Sequence, residues 1–242
     1  MSANPLEQFV IKPIIPLQMG GYDISFTQSS LWMCFAVLAA TLLMTLTMRG
    51  KAVIPGRWQN IAESLYEFVG GIVHEHLGHE GRKYFPLVFS IFMIVLMGNL
   101  LGMVPYSFTF TSHIIVTGAL ALFVFLLATL IGILRHGLHF FTLFVPSGVP
   151  IALAPLIAVI EVISYLSRPI SLSVRLFANM TAGHTILKVF AGFSVAMGVV
   201  FGVLPMVINI AVVGLEIMIA FIQAYVFAIL TCLYLKDAIE LH

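Results

Sequence analysis

Residues 114–134 read IIVTGALALFVFLLATLIGIL, and no charged side chain interrupts them. A helix needs about 20 apolar residues to cross a hydrocarbon core about 30 Å thick. This stretch is therefore a membrane-crossing helix, and it is not alone. Outward from it, 61% of the 242 residues are hydrophobic, only 9% are charged, and the mean hydropathy is +1.10. A water-soluble domain carries roughly a quarter charged residues, so too little polar material is present to coat a water-facing surface. The reading is an all-α, polytopic membrane protein forming a single membrane domain over residues 1–242. A net charge of +1 decides nothing further.

The remaining segments follow from the same rule. A first span is expected over residues 31–48, closed by Arg49, Lys51 and Arg57 with a break at Pro55-Gly56. Residues 58–77 differ in kind: Ile61, Leu65, Phe68, Val69 and Ile72 recur at helical spacing while Glu63, Glu67 and His74 interrupt them. That pattern predicts an amphipathic helix lying in the interface. Spans are expected over residues 85–104 and 114–134. Beyond Val145 the chain is apolar to Leu235, which reads as a long tilted C-terminal helix hairpin over residues 150–193 and 199–235, joined near Gly192 to Gly198. Each arm exceeds the bilayer thickness at 1.5 Å per residue, and Pro155, Pro169 and Pro205 are its expected bend points. Basic residues in short loops face the inner side. Arg49, Lys51, Arg57, Arg82, Lys83 and Arg135 mark one side, whereas the loop Pro105 to His113 has no Lys or Arg. The N-terminus is thus expected outside and the C-terminus inside. Cys34 and Cys232 lie within apolar runs and form no disulfide framework. The opening residues, Met1 to Glu7, do not read as a cleavable signal peptide.

Ionisable and amide side chains inside apolar helices cost about 2.5–3.5 kcal/mol when charged, and they point to function. Glu161, Arg168, Arg175, Asn179, His184, Glu216 and Gln223 all fall in the last two helices. Glu161, Arg168 and Arg175 are seven residues apart, a drift of about 20° per step around a helix. Ser164, Ser171 and Asn179 fill in that face, and Glu216 and Gln223 share a face of the final helix. Two facing polar stripes can hold water and relay protons. Glu161 can compensate Arg168, and Glu216 with His184 can form a titratable pair. Arg175 is left without an obvious fixed partner. It stays protonated at any ordinary pH, so it cannot relay a proton; it repels cations and attracts a carboxylate from outside the chain. A snorkelling arginine fits less well, because apolar sequence continues on both sides.

The stretch Ser167-Arg168-Pro169-Ile170-Ser171-Leu172-Ser173-Val174-Arg175-Leu176-Phe177-Ala178-Asn179-Met180-Thr181-Ala182-Gly183-His184 resembles the signature of subunit a of the F-type ATP synthase. Glu216, the run Ile222-Gln223-Ala224-Tyr225-Val226-Phe227 and Leu233-Tyr234-Leu235 resemble that family's last helix. Asn99-Leu100-Leu101-Gly102-Met103-Val104-Pro105 matches its motif closing an earlier span. The resemblance implies a stator against which a ring of c subunits turns, held with peripheral-stalk b-type subunits and the rest of the synthase. It places Arg175 opposite the ring carboxylate, Asn179, His184, Glu216 and Gln223 along a half-channel open to the outer side, and Glu161 along one open to the inner side. Asn99 belongs to the outer path or to packing. Many bacterial members have an acid at the site of His184 and a histidine at that of Glu216; here the pair is exchanged, as in mitochondrial-type members. Some members carry an acid where this chain has Gly102.

Other signals have plainer readings. His74-Glu75-His76-Leu77-Gly78-His79-Glu80 misses the zinc-protease spacing, since Gly78 stands where the second His belongs, and reads as the polar end of an interfacial helix rather than a metal site. Gly98 with Gly102, and Gly198 with Gly202, are small-residue pairs that permit close helix packing. Lys188 reads as a snorkelling side chain near a helix end ahead of a channel residue, Trp32 and Trp58 as interfacial anchors, and Arg135, His136 and His139 as an inner-side anchor. No phosphate-binding glycine loop and no nucleophile with a base is present, so ATP chemistry belongs to partner subunits. No cofactor and no nucleic acid is implied. The alternative function, a self-contained proton-coupled secondary transporter, calls for repeated halves that the sequence lacks. The expected location is an energy-transducing membrane, the bacterial inner membrane ahead of the mitochondrial one.

Overall fold

Long uninterrupted apolar runs can satisfy their backbone in lipid only as helices, and helices dominate the fold. The structure, a computed structural model, describes residues 7–19, 22–23, 25–49, 56–104, 107–137, 139–140 and 153–240. Lys51, Pro55, Pro105, Val145, residues 1–6 and the start of the expected long helix at 150–152 lie outside the described residues. Five helices are long and apolar enough to cross a membrane: α1 (Gln28–Thr47), α3 (Phe85–Gly102), α4 (Ile114–His136), α5 (Ala154–Ala196) and α7 (Val203–Ile239). Helix α2 (Arg57–Leu77) is of similar length but too polar for that group. The chain is an all-α polytopic membrane protein. One feature was not anticipated: two short antiparallel strand pairs precede α1, β1 (Pro13–Ile15) with β4 (Phe26–Thr27), and β2 (Gln18–Met19) with β3 (Tyr22–Asp23). Thr27 then starts α1, its Oγ1 accepting from the Ser30 amide at 3.4 Å.

Helix α7 is the hub, packing against α2, α3, α4 and α5. Its inner face carries Ala220, Ala224 and Ala228, all fully buried, and such small side chains let helices approach closely. Half of α3 is buried, whereas α1 is almost entirely uncovered. Helix α2 lies on α7 and α3 through Phe68, whose ring meets Phe92, Phe221 and Tyr225 with centroids 5.5–5.9 Å apart. At the basic end, Arg135 pairs with Glu80, and His136 Nε2 donates to the Ile239 carbonyl at 3.0 Å. The hydrogen bond from Arg135 holds the Glu80 carboxyl below its ordinary value of 4.5.

The hairpin departs from expectation at its bends and its corner. Pro155 and Pro205 sit in the first turns of α5 and α7, where no intrahelical N–H is required; only Pro169 lies inside a helix. The corner is a four-residue helix, α6 (Gly198–Phe201), between two glycines that do different jobs. Gly198 has φ +72° and open space where a Cβ would stand, so it serves the turn rather than packing. At Gly202 a Cβ would lie 2.2 Å from the Ser194 carbonyl oxygen, so close approach requires its bare α-carbon. Gly98 and Gly102 pack not on another long helix but against Phe110 and Thr109 of the α3–α4 connection.

Candidate functional site

Helices α5 and α7 run antiparallel, and the register of the hairpin converts two sequence stripes into facing pairs. Asn179 Nδ2 donates to Gln223 Oε1 at 3.2 Å. One and a half turns further, His184 Nδ1 faces Glu216 Oε2 at 3.8 Å. Both members of the second pair are buried, and neither carboxylate oxygen has a hydrogen-bond partner among the described residues. The room for this carboxylate comes from Gly183, where a Cβ would stand 2.2 Å from Glu216 Oε1. His184 Nε2 lies 3.0 Å from Thr109 Oγ1, which also donates to the Gly102 carbonyl at 3.2 Å. With that hydroxyl proton used, Nε2–H is the donor to Thr109, and when the ring is neutral Nδ1 is left as an acceptor toward Glu216.

A cavity of about 460 Å³ reaches His184 from the end of the hairpin distant from the basic loops. Lys188, Asn209, Ser107 and Thr109 line it, together with Gln8 and Phe9 from the N-terminal turn. Gln8 Nε2 and Asn209 Oδ1 are buried there without partners among the described residues, the condition under which water enters a polar cavity. Lys188 is thus a lining residue, not only an anchor at a helix end.

A second cavity, about 370 Å³, opens toward the opposite end and is lined by Ser164, Ser167, Arg168, Ser171, Arg175, Tyr234 and Asp237 among others. Among the described residues the two cavities share no lining residue. Arg168 pairs with Asp237 and lies over the rings of Tyr165 and Tyr234, 5.5 and 5.9 Å from their centroids. The expected compensation of Arg168 by Glu161 is therefore corrected: α7 continues past Leu235 and supplies a nearer carboxylate. Glu161 is half-buried one turn beyond Ser164 and does not line this cavity. Among the described residues Arg175 has no ion-pair or hydrogen-bond partner. It stands on an exposed stripe of α5 with Ser171, Val174, Ala178, Asn179, Ala182 and Ile186. Asn99 is fully buried and donates to the Ala220 carbonyl of α7 at 3.4 Å, a packing arrangement.

Thr109, Asn209 and Asp237 escaped the sequence reading. Asn209 stands seven residues before Glu216, and Asp237 fourteen after Gln223, so extending the heptad stripe in both directions finds them. Thr109 lies in a connection with no periodicity and had no such signal.

Residues 30–236 match the family described as ATP synthase A chain. ATP synthase subunit a of Rhodospirillum rubrum is 56% identical over 240 residues, covering 99% of each chain. The protein of the same name from Paramagnetospirillum magneticum is 54% identical over 246 residues, 99% of this chain and all of its own. That from Pelagibacter ubique is 53% identical over the full length of both. A family match over most of the chain, joined to relatives more than half identical from end to end, shows that this chain belongs to the ATP synthase subunit a family.

Proposed function

We propose that this chain is the stator subunit of an F-type ATP synthase membrane sector, conducting protons through two offset half-channels to and from the carboxylates of a rotating c ring. The observation that carries the reading is the pair of cavities. They enter the hairpin from opposite ends, share no lining residue, and stop at His184 and Arg175. Nine residues separate these stops, about 14 Å along a helix.

The chemistry follows from the groups at each stop. A proton entering past Lys188 and Asn209 meets the His184–Glu216 pair, two titratable groups within one water of each other. The buried carboxylate can hold the proton as a neutral acid, the neutral imidazole can accept it at Nδ1, and the Asn179–Gln223 amides lie beside the exposed stripe to which it is delivered. There it neutralises a ring carboxylate, which can then move through the apolar bilayer. After nearly a full turn that carboxylate meets Arg175. A fixed guanidinium favours the ionised acid, so the proton leaves into the second cavity, along Ser171 and Ser164 toward Glu161. No described residue is common to both cavities, which supports a route between them that runs through the ring. Each charge crossing 100 mV supplies about 2.3 kcal/mol. The partners are the c ring, b-type peripheral-stalk subunits and the remaining synthase subunits, in the inner membrane of a bacterial cell.

The complex purified through a tag on this chain should contain a c ring and soluble ATPase subunits. In vesicles, Glu216→Gln should slow proton uptake from the side of the Thr109 cavity. Combined with His184→Ala it should show a coupling of about 0.5–3 kcal/mol. Strictly additive effects would remove the pair from the path.

A further inference from the structure

A third cavity, about 500 Å³, opens where α2 passes into the short 3-10 segment Gly78–Lys83. The turn at Gly78 brings His79 back beside His74, their rings edge to face with centroids 6.1 Å apart, and Arg82 completes the same lining. The opposite wall is Tyr66, Val73, Phe85 and Pro86, with the Tyr66 ring tilted on Phe85 at 4.6 Å. Among the described residues no carboxylate lines this cavity. The nearby acid, Glu80, is engaged by Arg135, one of its bonds measuring 2.7 Å. Arg82 has no ion-pair or hydrogen-bond partner among the described residues. The cavity therefore joins the guanidinium of Arg82 and two imidazoles to an aromatic wall, at the end of the molecule that carries Arg57, Lys83 and Arg135. Basic pockets between membrane helices on the basic side take anionic lipid headgroups, and the leaflet there is rich in such lipids.

We propose that this cavity binds one anionic phospholipid, its phosphate held among Arg82, His74 and His79 and an acyl chain lying along Tyr66 and Phe85. Gly70 provides the space for the chain: a Cβ there meets only Phe85, at 3.8 Å, so a longer side chain would project into the cavity. The site shares no residue with either cavity along α5, so its occupancy is independent of the proton-path reading.

The test uses the intact complex in detergent, stripped of lipid and titrated with phosphatidylglycerol, with phosphatidylcholine, and with glycerol phosphate as the tailless probe. Bound molecules per complex are counted by native mass spectrometry. Phosphatidylglycerol should bind in preference to phosphatidylcholine. Arg82→Gln should weaken it roughly five-fold, the equivalent of about 1 kcal/mol for one basic side chain at the surface. Gly70→Leu should abolish lipid binding while sparing glycerol phosphate, and Arg57→Gln, outside the cavity, should change neither. The proposal is overturned if both cavity variants retain wild-type affinity for phosphatidylglycerol, or if the two lipids bind equally. It is also overturned if Gly70→Leu has no effect and glycerol phosphate binds as tightly as the lipid, which would mark a free-phosphate site. A density map with another subunit's side chains filling the cavity would equally exclude it.

Discussion

Gly183 and Glu216 are best understood together, because the glycine has no side chain where the carboxylate stands. Placing even a methyl group at Gly183 puts it 2.2 Å from Glu216 Oε1 and 2.9 Å from its Cδ, so Gly183→Ala must rotate the acid away from His184. An off-rotamer side chain costs about 0.5–1.5 kcal/mol, and a path through Glu216 should slow by up to about ten-fold with the amount of assembled complex unchanged. Proton flux per assembled complex measures it; normal flux would mean that the carboxylate need not face the histidine. At this scale the sequence was informative wherever polarity contradicted its surroundings. Glu216, His184, Asn179 and Gln223 stand out from apolar helices and meet as pairs. Glycine carries no such contrast, so the role of Gly183 emerges only once the opposite helix is in place. The pairing of Arg168 was misjudged for a related reason. Periodicity favours Glu161 on the same helix, whereas the hairpin register brings Asp237 from the other.

Helix ends and corners decide how these residues are held. The α6 corner depends on Gly202, whose α-carbon approaches the carbonyls of Ser194 and Gly198 so closely that a Cβ would lie 2.2 and 2.5 Å from them. Because those atoms are backbone, Gly202→Ala must open the corner. Overpacking of this kind costs about 1–3 kcal/mol, and a lower thermal midpoint of the purified complex should report it. Gly198→Ala strains a positive φ instead and should be felt as well, through the turn rather than through contact. The Glu80–Arg135 pair ties the segment after α2 to the end of α4. Its hydrogen bond lowers the folded-state value of Glu80 below 4.5. The pair's contribution is thus complete above the ordinary carboxyl value and is lost as pH falls through the lowered one. Glu80→Gln should flatten the pH dependence of stability below about 4.5 and leave it unchanged at neutral pH. Because both side chains are substantially exposed, the effect should be small. The membrane-crossing helices were legible because length and hydropathy determine them locally. The strand pairs before α1 and the corner were not, since each depends on contacts or dihedral angles that hydrophobic period does not encode.

Across the whole molecule, the exposed stripe on α5 is the feature that a lone chain leaves unexplained. It is apolar enough to meet lipid at Val174, Ala178, Ala182 and Ile186, yet it also carries Arg175. A guanidinium facing hydrocarbon costs about 2.5–3.5 kcal/mol on insertion scales, so a protein surface bearing an acid is the better neighbour. Family membership makes the chain one subunit of a larger complex, and the ring proposed above is the neighbour that would present such an acid. Arg175 tests that account most directly, because among the described residues it has no ion-pair or hydrogen-bond partner. Complexes carrying Arg175→Ala should be assembled normally and reconstituted in vesicles, and ATP synthesis driven by an imposed proton gradient should be measured per complex. The account predicts that synthesis is abolished while the soluble sector still hydrolyses ATP, and that Arg175→Lys also fails, since a point ammonium does not reproduce the planar guanidinium. Coupled synthesis at wild-type rates in Arg175→Ala would contradict it.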